Sequence, residues 1–111
     1  MTARTHYVLI ETRDPFDSAD VDSVFTLAGR LGDAADVSVY LVENAVLPAR
    51  AASSAAARIT SLAGRTTVLA DDFSLRQRGI GVHELAPGVA AASIDRLVEL
   101  ITTPGSKAMW H

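Results

Sequence analysis

Three short apolar runs, Tyr7–Ile10, Val37–Val42 and Thr67–Ala70, punctuate the first two thirds of the chain, and helical patterning fills the gaps between them. None alternates polar with apolar, so each reads as a strand buried on both faces rather than one side of an antiparallel sheet. A strand followed by an amphipathic helix roughly every 25 to 30 residues predicts βαβ units with right-handed crossovers. The expected architecture is a three-layer α/β/α sandwich with a mainly parallel sheet of about five strands.

The helices are read from caps and periodicity. Ser18 is placed to cap a first helix with Asp20 and Asp22 in its opening turn, where the dipole favours negative charge. Val21, Val24, Phe25, Ala28 and Leu31 make its apolar stripe, and Gly32 is expected to end it in the left-handed conformation. Pro48 suits the first turn of a second helix carrying Ala52, Ala55, Ala56, Ile59 and Leu62 up to Gly64. Asp72 reads as the cap of a short helix, Phe73 to Arg78, stopped by Gly79. Val82 to Val89 is left open between a fourth strand and a loop. Ser93 is the expected cap of a last helix with Ile94, Leu97, Val98 and Ile101 on one face; Pro104-Gly105 breaks it, and Lys107–Trp110 forms a closing strand.

With 111 residues the chain is expected to be one domain, 1–111. Hydrophobic residues reach 49% and charged ones 21%, which argues for a packed core and against disorder. Aromatics are few, so Val, Leu, Ile and Ala must build that core. There is no cysteine, which removes disulfides, thiolate metal sites and any Cys nucleophile. The net charge of −3 and the scattered basic residues argue against nucleic acid as a partner. The apolar run near the N-terminus stops at Glu11, too short for a secretory signal or a membrane span, so the expectation is a cytoplasmic protein with no membrane partner.

On an open parallel sheet, ligands bind outside the carboxyl ends of the strands. That rim collects Thr12 to Asp17, Glu43 to Leu47, Asp71 to Ser74 and, if the last strand is parallel, His111. The ligand-binding candidates are Arg13, Asp14, Asn44, Asp71, Asp72 and Ser74, and the interface candidates are Trp110 and His111. Each has a plainer reading. Asp14 and Asp17 suit a turn, Asp71 and Asp72 a helix cap, and Arg13 an ion pair with one of these aspartates. His6 reads as a surface residue and His83 has no assignment. Whether His111 is ordered stays open. The three histidines match no metal spacing, so no metal or other cofactor is expected. TRDPFDS after the first strand lacks the glycines of a dinucleotide fingerprint and the lysine of a phosphate loop. No nucleophile elbow or defensible Ser–His–Asp set exists, and no residue is assigned as catalytic.

The order of elements, with ETRDPFDSADVDSVFTLAGRLGDAADVSVYLVENAVLPAR, VLADDFSLRQRGI and the terminal KAMWH, resembles the DsrE/DsrF/DsrH-like sulfur-relay family over nearly the whole chain. The resemblance implies a five-stranded sheet with helices on both faces and association into dimers, trimers or larger rings. In the active members, a Cys at the N-terminus of the third helix carries a persulfide. That position falls at about Asp71 here. A carboxylate cannot form the S–S bond that a thiolate forms, and a helix N-terminus favours an anion of either kind. The resemblance therefore implies a Cys-less assembly or docking subunit, homo-oligomeric or paired with related subunits, and not a persulfide-carrying sulfurtransferase. Two other readings compete: a small-molecule or anion site built from Arg13, Asn44 and the amides around Asp72, and a Cys-independent enzyme using Asp14, Asp71, Asp72 and a histidine.

Overall fold

Each apolar run becomes a central strand. In the computed structural model, which describes residues 5–111, β1 is His6–Glu11, β2 is Asp36–Leu41 and β3 is Thr67–Asp71. Two weaker segments complete the sheet, β4 at Val89–Ala92 and β5 at Ser106–Trp110. The strand order is β4-β3-β2-β1-β5 and every pairing is parallel. The five-stranded parallel α/β sheet is the one expected.

The helices are α1 (Asp20–Gly32), α2 (Ala56–Ala63), α3 (Asp72–Gln77) and α4 (Ile94–Thr102). From β1 to β4 the strands step one way across the sheet, and right-handed crossovers then put α1, α2 and α3 on one face. The connection from β4 to β5 runs back over the whole sheet, which sends α4 to the other face. Packing follows this division. Val21, Phe25, Ala28, Ile59, Leu62 and Leu75 bury against Leu9, Val39, Leu41, Val68 and Ala70. Leu97 and Leu100 of α4 bury against Val8, Ile10, Tyr40 and Leu69. One face thus has three helices, and the other has only nine residues of helix.

Four local expectations are corrected. The second helix is not continuous from Pro48: a 3₁₀ segment, Glu43–Ala49, precedes α2, and the chain between them turns. Tertiary bonding explains the break. Arg50 forms an antiparallel bridge with Leu85, Ala51 N–H donates to Glu84 (2.7 Å) and Ala86 N–H donates to Ala49 (2.7 Å), so Arg50 is extended and no helix runs on from Pro48. Gly32 stays in α1 without a positive φ. A Cβ there would stand 2.6 Å from the Arg65 carbonyl oxygen, so close backbone approach, not a left-handed cap, requires glycine. Ser18 does not cap α1, whose N-cap is Ala19; the chain enters through a turn in which the Asp14 carboxylate accepts from Phe16 and Asp17 N–H, both at 2.9 Å. Asp71, not Asp72, caps α3. The open segment resolves into a 3₁₀ turn at Val82–Glu84 followed by β4.

Candidate functional site at the carboxyl edge of the sheet

The loops leaving β3 and β4 go to opposite faces, toward α3 and α4, so the crevice between these two strands is the topological switch point where α/β folds bind ligands. Asp71 ends β3 at this crevice. It is buried and spoken for: Tyr40 Oη donates to Oδ1 (2.6 Å), while Ser74 N–H and Ser74 Oγ donate to Oδ2 (2.9 and 2.7 Å). Ser74 Oγ accepts in turn from Glu43 N–H (2.8 Å), tying α3 to the exit of β2 at a residue with φ of 57°. Burial alone pushes the Asp71 carboxyl up. The hydrogen bonds from Tyr40 and from the side chain and amide of Ser74, with Arg76 nearby, outweigh it and hold the group below the usual carboxylate range. Burial, the bond to Asp71 and the charges of Asp71 and Asp72 drive the Tyr40 phenol far above its usual range. Asp71 is therefore an ion locked by uncharged donors.

A second buried carboxylate closes β1. Glu11 is fully buried, and its Oε2 accepts from Thr12 N–H (2.9 Å) and Arg13 N–H (3.3 Å). His111 Nδ1 lies 2.7 Å from Oε1 and 2.9 Å from Oε2. The His111 backbone continues the β1–β5 ladder: its N–H donates to Ile10 O (2.8 Å), and its carbonyl accepts from Thr12 N–H (3.1 Å) and Thr12 Oγ1 (2.9 Å). An ionised carboxylate only accepts, so the ring proton belongs on Nδ1, and Nε2 has no hydrogen-bond partner among the described residues. The imidazole side chain is 31% exposed. Sequence reasoning placed His111 on this rim but missed Glu11, which it read only as the end of an apolar run.

The remaining candidates divide. Thr12, Arg13, Asp14, Asp17, Ser18, Glu43 and Asn44 line one cleft of about 450 Å³, so Arg13, Asp14 and Asn44 do come together. The Arg13 guanidinium makes no hydrogen bond or ion pair among the described residues, so the pairing expected for it with an aspartate is absent. Asp14 is consumed by its turn. The Asn44 carbonyl accepts from Arg78 Nε (3.2 Å) and Nη2 (2.9 Å). Asp71 and Ser74 lie outside this cleft, and Asp72 makes a 3.6 Å ion pair with Arg76 one turn on. The Arg76 guanidinium also sits 6.0 Å over the exposed Phe73 ring. Trp110 is 69% exposed on β5.

A second basin, of about 480 Å³, opens at the opposite, amino edge of the strands. Its cations are already engaged, Arg65 with Asp33 and Arg96 with Glu99. His6 is half-buried rather than a free surface residue, with Nε2 3.0 Å from Ser38 Oγ. No group of three His, Cys, Asp or Glu able to hold a metal exists among the described residues. None of the described helices is long and apolar enough to cross a membrane.

A family model described as "DsrH like protein" matches residues 13–106. The chain belongs to the DsrH-like family. Its fold is thus one associated with sulfur relay. Solved structures agree on architecture. The ychN protein of E. coli superposes with a TM-score of 0.87 at 16% identity, covering 96% of this chain and 99% of that one. A protein of unknown function from Methanobacterium thermoautotrophicum gives 0.73 at 20% identity, with 96% and 97% covered. A conserved protein of unknown function from Bacteroides thetaiotaomicron gives 0.77 at 12%, with 96% and 95% covered. At such identities these likenesses speak for the fold alone. No curated protein is significantly similar to the chain.

Proposed function

We propose that this DsrH-like chain works by docking rather than by chemistry, as a non-catalytic subunit that assembles with copies of itself or with related subunits in intracellular sulfur metabolism. One observation carries the reading: the switch-point residue is a carboxylate committed to three donors, in a chain that has no thiol anywhere. A sulfane sulfur has nothing to bond to, because persulfide formation needs a thiolate. DsrH-like proteins typically form complexes with related subunits, which supports an assembly role. Sedimentation of the purified chain, together with its recovery from cell extract, tests this. Assembly with itself or with a related subunit is expected; a strict monomer that retains no subunit would overturn the proposal.

The cleft around Arg13 favours a second reading, a small-molecule or anion site, because a guanidinium unpaired among the described residues lies beside an open volume. Thermal-shift measurement with inorganic sulfate, thiosulfate and simple carboxylates tests it. An anion at 100-fold its dissociation constant should add about 2.7 kcal/mol, and no shift with any of them would dismiss the site. A Cys-independent enzyme gains little support, since Asp14, Asp71 and Asp72 are all engaged in local bonding.

A further inference from the structure

Two loops wall the cleft at the carboxyl edge, and each brings it both a donor and an acid. The loop after β1 supplies Arg13, Asp14 and Asp17, and the segment after β2 supplies Glu43 and Asn44. Arg13 is exposed, and its guanidinium has no hydrogen-bond or ion-pair partner among the described residues. Against that single cation stand the carboxylates of Asp14, Asp17 and Glu43. The lining is mixed in charge and negative on balance.

Two of these groups keep a bonding atom in reserve, each for a structural reason. Asp14 is only 7% exposed, and its turn uses one oxygen: Oδ1 accepts from the Phe16 and Asp17 N–H groups at 2.9 Å. Oδ2 has no partner among the described residues, yet it is not sealed in, because the one buried, unbonded side-chain polar atom there is the Ser106 hydroxyl. Asp14 lines the cleft, so Oδ2 opens onto it. Asn44 is oriented by Arg78. A guanidinium only donates, so Arg78 Nε and Nη2 must face Asn44 Oδ1 (3.2 and 2.9 Å), which turns the Asn44 Nδ2 hydrogens away, without a partner among the described residues. Beside it, Glu43 N–H donates to Ser74 Oγ (2.8 Å), and Glu43 is the one described non-glycine residue with a positive φ. The Asp71–Ser74 network thus sustains a strained residue on the cleft wall.

We infer that this cleft binds a small zwitterion, an α-amino acid, with the ligand carboxylate on the Arg13 guanidinium and Asn44 Nδ2 and the ligand ammonium on Asp14 Oδ2, Asp17 and Glu43. The inference rests on the reading of the cleft as a small-molecule or anion site and names the ligand's class. Charge selects that class. A simple anion on Arg13 brings its charge beside three carboxylates, and a simple cation on those carboxylates is repelled by Arg13. A molecule with both charges a few bonds apart satisfies the donors and the acids together. Its contacts are charge-assisted hydrogen bonds, the stronger kind. The volume of about 450 Å³ lies within the range of small-ligand pockets.

Amide spectra of the isotope-labelled chain, titrated separately with L-alanine, acetate and methylammonium, test this. L-Alanine should shift the Thr12–Ser18 and Glu43–Asn44 resonances saturably and bind about tenfold more tightly than either fragment. Arg13→Gln, at an exposed site, and Asp14→Asn, which keeps the Oδ1 acceptor of the turn, should each weaken L-alanine about tenfold. The two variants should part on the fragments: Arg13→Gln loses acetate and spares methylammonium, and Asp14→Asn does the reverse. Acetate binding as tightly as L-alanine overturns the inference and leaves the anion reading standing. Methylammonium doing so overturns it in favour of a cation site. No saturable shift with L-alanine, glycine or L-serine overturns it as well, and if sulfate and acetate also fail, the reading beneath it falls too.

Discussion

Strands β1 and β3 both end on a buried carboxylate, yet Glu11 and Asp71 are held by different kinds of donor. Asp71 is bound by a phenol, a hydroxyl and an amide, none of which changes charge near neutrality. Glu11 is bound by two amides and an imidazole that reaches solvent. The first arrangement stitches β2, β3 and α3 together through both oxygens of Asp71. The second fastens the end of β5 to β1 and leaves one ring nitrogen without a partner among the described residues. A buried carboxylate at the carboxyl edge of the sheet is therefore no mark of chemistry by itself; what it is bonded to decides.

Removing the Asp71 side chain should break the comparison most sharply. Asp71→Ala deletes the α3 cap and strands a buried Tyr40 hydroxyl, and should cost about 3 kcal/mol in chemical denaturation. A loss below about 1 kcal/mol would mean that the lock is not structural. The pH dependence of the same site follows from its sign. Because the folded Asp71 holds its proton less tightly than the unfolded chain, its contribution is complete above the unfolded carboxylate value near pH 4 and fades as pH falls below it. The stability gap between wild type and Asp71→Asn should thus be flat from neutrality to about pH 5 and shrink in more acid solution. A gap that widened with acid would contradict the bonding described.

Glu11→Gln should have a smaller effect on stability, about 1 kcal/mol, but a distinct signature. The amide oxygen must serve the Thr12 and Arg13 N–H groups, which turns the NH₂ toward His111 Nδ1 and moves the ring proton to Nε2. Nitrogen chemical shifts of the imidazole should report the exchange of tautomers, and an unchanged tautomer would show that Glu11 does not set it. Arg13→Ala should change stability least, within about 0.5 kcal/mol, since the exposed guanidinium has no hydrogen-bond or ion-pair partner among the described residues. A larger loss in denaturation would mean that it does support the fold.

Much of this architecture was legible because burial on both faces leaves a one-dimensional trace: Val37–Val42 and Thr67–Ala70 have few polar residues to hide. Features that depend on distant backbone were not legible. Nothing near Arg50 signals its bridge to Leu85, and nothing near Gly32 signals the Arg65 carbonyl above it. The rim was readable as a list of loops, but pairing within it was not. Glu11 and His111 stand 100 positions apart and meet only because β5 lies beside β1. The shift of the α3 cap from Asp72 to Asp71 is a single-residue boundary that local pattern does not resolve.

The most direct test is to expose the purified protein to a persulfide donor and weigh the intact chain by mass spectrometry. The account expects no stable gain of a sulfur atom and no transfer to an acceptor thiol. A chain that takes up labelled sulfane sulfur unaided and passes it on would contradict it.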